Sequence, residues 1–425
     1  MTDLREALER ERRRFRMGGT SIEDLERRRD ARRRNRRVVS GVVAIAVAAV
    51  GAFAAFAAFH DTGRAPSPAA SPPIATPKRI PPPSSKLQFV DENHGWMAVE
   101  HEILATTDGG RTWKAQYRSE DVFGVQFLDS EHGWAASAEG LVGTTDGGVH
   151  WRVLNEDSLE QVQFVDSQVG WSIQISSDPR KPLPLPPGFH TAEGYSVLFM
   201  TTDGGSTWDR VEIKRTVSGI CFVDERTGWV SSRSSILRTG DGGTSWTETE
   251  LSFRRGRAWS GEFSCVTPQE AWSLFREWSG TAGTVPYAAF ATTTGGTTWN
   301  PVLQERSTSP LGQDARIHPA EDPYPGPFDV PREGAAFFLN FCPPCGGTSA
   351  VIRTLDGGKS WKRFDLPQSA QGEPFGLSFV DENHGWAALR QPVSDTNGET
   401  AQVFILKTSD GGATWKISSV YRPSH

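Results

Sequence analysis

Apolar positions along this chain fall in short runs rich in β-branched and aromatic residues, cut at close intervals by Asp, Asn and Gly. Runs of that length and chemistry predict strands, and the cuts predict tight turns between them. The cuts repeat. An eight-residue pattern, Thr-x-Asp-x-Gly-x-(Thr/Ser)-Trp, occurs seven times: Thr106 to Trp113, Thr144 to Trp151, Thr201 to Trp208, Thr239 to Trp246, Thr292 to Trp299, Thr354 to Trp361 and Thr408 to Trp415. Successive closing tryptophans lie 38, 57, 38, 53, 62 and 54 residues apart. A period of that size implies a supersecondary unit that cannot bury its apolar face alone and stacks on copies of itself.

A second pattern precedes each box. Phe89 to Trp96 reads FVDENHGW and recurs at Phe127 to Trp134, Phe164 to Trp171, Phe222 to Trp229 and Phe379 to Trp386. Two copies are weaker. Cys265 to Trp272 has Cys where Phe is expected, and Phe328 to Ala335 keeps Phe and Gly but loses Trp. Each unit parses into four strands: one ending at the Phe, one starting at Gly-Trp, one running into the box as in Ile103–Thr106, and one starting at the box Trp. Seven such units predict an all-β fold, a seven-bladed β-propeller of four-stranded antiparallel blades.

Within the box, Asp108 and its equivalents Asp146, Asp203, Asp241, Asp356 and Asp410 can accept hydrogen bonds from turn amides. Glycine tolerates positive φ there, and the Trp is expected to fill the gap between sheets. These aspartates read as fold staples rather than catalytic acids. The fifth copy carries Thr294 at the Asp position and so tolerates loss of the carboxylate.

Together the two patterns resemble the Asp-box, or bacterial neuraminidase, repeat. Their pairing over residues 86–421 is most similar to the photosystem II stability and assembly factor family and its bacterial relatives. The resemblance implies a propeller that binds or assembles other proteins. Asp boxes also occur in sialidases, glucan hydrolases and sorting receptors, so the architecture does not fix an activity.

The chain before the repeats has a different character. Val38 to Phe59 is 22 uncharged residues rich in Ala and Val, enough to cross a hydrocarbon core of about 30 Å as a transmembrane helix. Residues 1–37 hold 14 Arg against 8 acidic residues. Arginines beside a spanning helix favour the cytoplasmic side, which predicts an extracytoplasmic propeller on a single-pass anchor. A cleaved signal peptide is the rival reading, but it would have a shorter positive region and a shorter apolar run. Residues 60–85 are rich in Pro, Ala and Ser and predict an extended linker; residues 422–425 form a short tail.

Charge and cysteine usage fit this layout. The chain carries −6 overall and its first 37 residues +6, which leaves −12 for residues 38–425. That excess argues against nucleic acid as a partner of the propeller. Cys342 and Cys345, spaced Cys-Pro-Pro-Cys, are a disulfide candidate within a hairpin loop, with a redox pair or half a metal site as alternatives. Cys221 and Cys265 lie on equivalent strands of successive blades at offsets of eight and seven from their tryptophans. Alternation along a strand then turns them to opposite sides, which disfavours a bond between them.

Length variation points to a binding face. The turn between Phe and Trp and the box keep constant length, whereas insertions fall at the opposite end: Ser176 to Tyr195, Ser252 to Glu262, Arg276 to Tyr287, Leu303 to Pro327, Cys342 to Thr348 and Gln391 to Ala401. Variable loops on a rigid scaffold concentrate recognition. Arg254, Arg255, Arg257 and Trp259, with Trp278 and Tyr287, form the basic and aromatic set expected of a protein-binding surface. Glu321, Asp322 and Tyr324 add acid nearby; anchoring of the long loops is the alternative role for the rings.

Catalysis has less support in the sequence. Arg79-Ile80-Pro81 resembles the sialidase Arg-Ile-Pro motif, but it precedes the first blade, and Tyr195, Tyr287 and Tyr324 belong to inserted loops. No phosphate loop, HExxH or serine elbow is present, and no cofactor or metal is expected. The sequence therefore predicts a non-catalytic platform for another protein of the membrane or cell envelope. A sialidase-like or glucanase-like hydrolase, with polysaccharide as ligand, is the alternative.

Overall fold

The computed structural model describes residues 80–423, apart from 81, 158, 160, 176–195, 214, 252, 254–258, 278–284, 306–317, 321–323, 344–345 and 396–397. The expected anchor over 38–59 and the arginine-rich segment before it lie outside the described residues. Among the described residues, no helix is long and apolar enough to cross a membrane.

Seven antiparallel sheets form, each from consecutive strands of one repeat hydrogen-bonded in chain order. The first strands of the seven blades are Leu87–Phe89, Val122–Phe127, Gln161–Phe164, Gly219–Phe222, Trp259–Cys265, Tyr324–Arg332 and Glu373–Phe379. These strands neighbour one another around the ring and form its hub. The fourth strands, such as Lys114–Arg118 and Thr247–Glu250, are largely exposed at the rim. The predicted seven-bladed propeller is thus the observed fold.

Three stretches read as insertions turn out to be partly sheet. Trp259 to Glu262 opens the first strand of blade five. Within Leu303 to Pro327, residues His318–Ala320 add a fifth, parallel strand beside Asn300–Glu305. Gln391 to Ala401 extends the hairpin of blade seven, whose strands Gly385–Asp395 and Gly398–Thr408 stay paired out to Asp395 and Gly398. Strand pairing continues past the end of the sheet wherever cross-strand partners persist, and constant-length motifs do not mark that limit.

The two sequence patterns acquire distinct jobs between blades. The Phe turns back toward the preceding blade, and the Trp of Gly-Trp turns forward to meet the next Phe. Trp96 stacks on Phe127 at 3.5 Å, Trp134 on Phe164 at 3.9 Å, Trp171 on Phe222 at 3.8 Å and Trp386 on Phe89 at 3.8 Å between ring centroids. The last of these closes the ring. The Gly before each such Trp makes room for the Phe ring of its own blade, since a Cβ on Gly133 would lie 2.3 Å from Phe127. Where the Phe is absent the requirement lapses, and Ala271 stands opposite Cys265.

The weak sixth copy is shifted by two residues from its sequence alignment. Ala336 pairs with Thr354 as Gly385 pairs with Thr408, so Phe337 occupies the Trp position and stacks on Phe379 at 3.7 Å. Val330 fills the Phe position and packs in one cluster with Trp272. A second revision concerns the box tryptophans. The Gly-Trp rings carry the fully buried payload, while Trp113, Trp151, Trp208, Trp246 and Trp361 are only half-buried and meet the Phe rings edge-on, as Trp208 meets Phe164 at 6.0 Å.

Buried polar side chains lock the same joints. The residue before each Phe reaches into the next blade, where an unpaired strand amide would otherwise be costly. Gln88 accepts from Phe127 N at 2.7 Å and donates to Phe127 O at 2.8 Å. Gln126 and Gln163 accept likewise from Phe164 N and Phe222 N. Asp329 accepts from Phe379 N at 2.7 Å, and Ser378 from Phe89 N at 2.9 Å.

At the joint of blades four and five the clamp is covalent. Cys221 and Cys265 form a disulfide, contrary to the expectation from their offsets. Facing opposite sides of their own sheets is what the bond requires here: Cys221 lies beside Trp229 on the forward face of blade four, and Cys265 replaces the backward-facing Phe of blade five. Two sheets that pack face to face bring those positions together.

Candidate functional site

The two ends of the propeller have different chemistry, beginning with the constant turns. Asp91 Oδ1 accepts from Asn93 N and His94 N, each at 2.7 Å. The box turn lies alongside and donates Gly109 N to Asn93 O at 2.9 Å, a contact repeated in every blade from Gly147 N to Gly411 N. Both motifs therefore sit at one end, as their constant lengths suggested.

Each box carboxylate is engaged within its own turn. Asp356 accepts from the Ser360 hydroxyl at 2.6 Å, the Ser360 amide at 2.9 Å and the Thr354 hydroxyl at 2.8 Å. Asp108, Asp203, Asp241 and Asp410 repeat this set, and at Asp146 the imidazole of His150 replaces the second hydroxyl. In the fifth copy Thr294 Oγ1 accepts from Thr298 N at 3.1 Å and contacts the Thr298 hydroxyl. The Ser360 bonds hold Asp356 down at about 2 from an ordinary 3.8.

A carboxylate lowered in the fold stabilises it above the unfolded-state value and loses that contribution as pH falls through the folded one. Thermal stability should therefore be flat above about pH 4 and decline between about pH 4 and pH 2 as the boxes protonate. A melting temperature that stays constant down to pH 2 would show that these bonds do not hold the turns.

The opposite end carries the loops. Arg254, Arg255, Arg257 and Trp278 lie outside the described residues, as do Tyr195, Glu321 and Asp322. The backbone of Trp259 begins the first strand of blade five, opposite Glu277. Tyr287 is not surface: it is fully buried, and Asn340 Nδ2 donates to its hydroxyl at 3.1 Å. An aromatic at the start of a third strand points into the joint of blades five and six, which loop length could not reveal. Cys342 is disulfide-bonded, and Cys345 lies outside the described residues. Between the blades, Arg276 pairs with Glu262 and donates to Gly326 O of blade six at 2.8 Å.

The sequence reading missed the hub. Residues 60–85 were expected to be linker, yet Pro82–Ser85 lie against the first strands. Ser84 N donates to Val162 O at 2.8 Å, and Ser85 and Val125 exchange two backbone bonds at 2.9 Å. Gln126 Nε2 donates to Pro82 O at 3.3 Å. Ile80 packs on the apolar cluster of blades four and five. Lys86 Nζ donates to Val122 O at 2.8 Å, and burial pushes this amine below its usual range, against the attraction of Asp121. Proline-rich composition signals an extended chain, and an extended chain can also serve as a sheet partner.

Compared with family models and with curated proteins, the sequence gives no match. Among solved structures, the chain is similar to YCF48 bound to a D1 peptide, at 16% identity and a TM-score of 0.45 over 73% of this chain and 90% of that one. YCF48 from Cyanidioschyzon merolae gives 15% and 0.45 over 74% and 94%. A GH74 xyloglucanase from Xanthomonas campestris gives 12% and 0.49 over 80% and 68%. Likeness at that level is one of fold.

Proposed function

We propose that this chain is a membrane-anchored, extracytoplasmic propeller that acts as a non-catalytic platform for binding or assembling another protein, in the manner of the assembly factors its paired motifs resemble. The observation that carries this reading is the tether laid against the first strands of blades two and three. A propeller hydrolase converges its acid, base and cation-binding groups on the axis; here main chain and serines of the tether lie against that surface, and the box carboxylates are committed to their turns. The buried Cys221–Cys265 disulfide supports an oxidising compartment for the propeller. The loop-bearing end, with Arg254, Arg255, Arg257, Trp259 and Trp278, is the docking face.

A membrane-impermeant crosslinker applied to intact cells tests location and docking together. It should join the chain to a discrete partner, and the double substitution Arg255→Ala with Trp259→Ala should abolish the product while leaving the melting curve unchanged. Loss of such anchors weakens binding by at least about 2 kcal/mol, roughly thirtyfold. Crosslinking only after lysis would place the propeller inside. Turnover of a sialoside or xyloglucan by the purified chain would replace the platform with a hydrolase.

A further inference from the structure

Inner strands at the hub have one edge with no neighbour in their own sheet, and the ring covers those edges in two ways. At blades four and five the edges close on each other. A Cβ on Gly219 would lie 2.0 Å from Gly261 O, and the hydroxyls of Ser218 and Ser231 bond the Gly261 backbone. At blades two and three the edges are covered by the chain's own segment Pro82–Lys86 instead.

That coverage has the form of peptide recognition. Most of its bonds use backbone groups of the segment: Ser84 N to Val162 O, Ser85 N and O to Val125, and Pro82 O from Gln126. One more links Val162 N to the Ser84 hydroxyl at 3.2 Å. Backbone pairing of this kind accepts any extended chain whose side chains fit. The fit is set by Gly124, where a Cβ would approach the Ser84 carbonyl carbon to 3.1 Å, and by the apolar contact of Ile80. Prolines are accommodated at 82 and 83, where no amide is used. Among the described residues, five hydrogen bonds, with Lys86 Nζ on Val122 O as a sixth, hold the segment to these edges, fewer than hold a blade together, so its local release takes less free energy than unfolding a blade.

We propose that the hub edges of blades two and three are a binding site for an extended, proline-containing peptide segment, held here by Pro82–Lys86 of the chain and taken by a partner's segment of the same chemistry when it displaces them. This rests on the platform reading for the existence of a partner and names the class of ligand.

The probe is a fluorescent peptide of residues 78–87, measured by polarisation against the full chain. Ser84→Pro with Ser85→Pro removes the two amides that hold the resident segment. This variant should bind the peptide at least tenfold more tightly than the unaltered chain, and adding Gly124→Val should abolish binding. Equal or absent binding by a variant with a native melting curve overturns the proposal, whatever the crosslinking result. Should the proline variant fail to fold, hydrogen exchange on the unaltered chain decides: the amides of Val125 and Val162 should exchange at least a hundredfold faster than those of Ala135 and Ser172. Equal protection shows a fixed structural segment and overturns displacement.

Discussion

Trp386→Ala should lower the unfolding free energy by about 3–5 kcal/mol, the range for emptying a fully buried large aromatic site. The ring is fully buried, stacks on Phe89 and donates its Nε1 to Gly109 O at 2.9 Å. It does so at the joint where the last blade meets the first. No strand is shared across that joint, because every blade draws all its strands from a single repeat. Closure therefore rests on side chains: this stack, Ser378 on Phe89 N, and Tyr421 of the last strand on Glu102. By contrast Trp208→Ala removes a half-buried ring that meets Phe164 edge-on, and should cost about 1–3 kcal/mol. Urea melts of the two variants check the order; a box Trp that costs more than Trp386 would refute the assignment of the buried payload to the Gly-Trp position.

Replacing both Cys221 and Cys265 with Ala should destabilise the propeller by about 4 kcal/mol on the chain-entropy account of cross-linking. The bond spans 44 residues, an entire blade, and so constrains a long loop of the unfolded chain. It also stands where other joints have a stacked Phe and Trp, so the variant loses the bond without regaining an aromatic contact. Denaturant midpoints should fall for the variant, and to a similar extent for the unaltered chain unfolded in the presence of a dithiol reductant. Identical midpoints for all three would show that the joint is held by packing alone. Both sulfurs are buried, so reductant should act on the native protein only as fast as the joint opens.

Much of the architecture was legible because it is periodic. Strand-forming runs, two turn motifs of fixed length and seven copies in phase specify blades, and the seven-residue offset from Phe to Trp survives even in the sixth blade as Val330 to Phe337. The structural role of the box aspartates was likewise readable, since it needs only the turn's own amides and hydroxyls. What escaped the sequence depends on which faces meet. Cys221 and Cys265 point to opposite sides of equivalent strands, and only the stacking of one blade on the next turns that opposition into a bond. Tyr287 appeared to be loop surface because burial across the joint of blades five and six is not written in its neighbours. The tether at Pro82–Ser85 looked like linker, because an extended chain that pairs with water and one that pairs with a strand edge have the same composition. Local hydrogen bonding and apolar spacing thus set the blades from the sequence alone, while the contacts that close the ring, cover the hub edges of blades two and three and choose the outward residues arise between units far apart in the chain, where only the folded geometry supplies the partner.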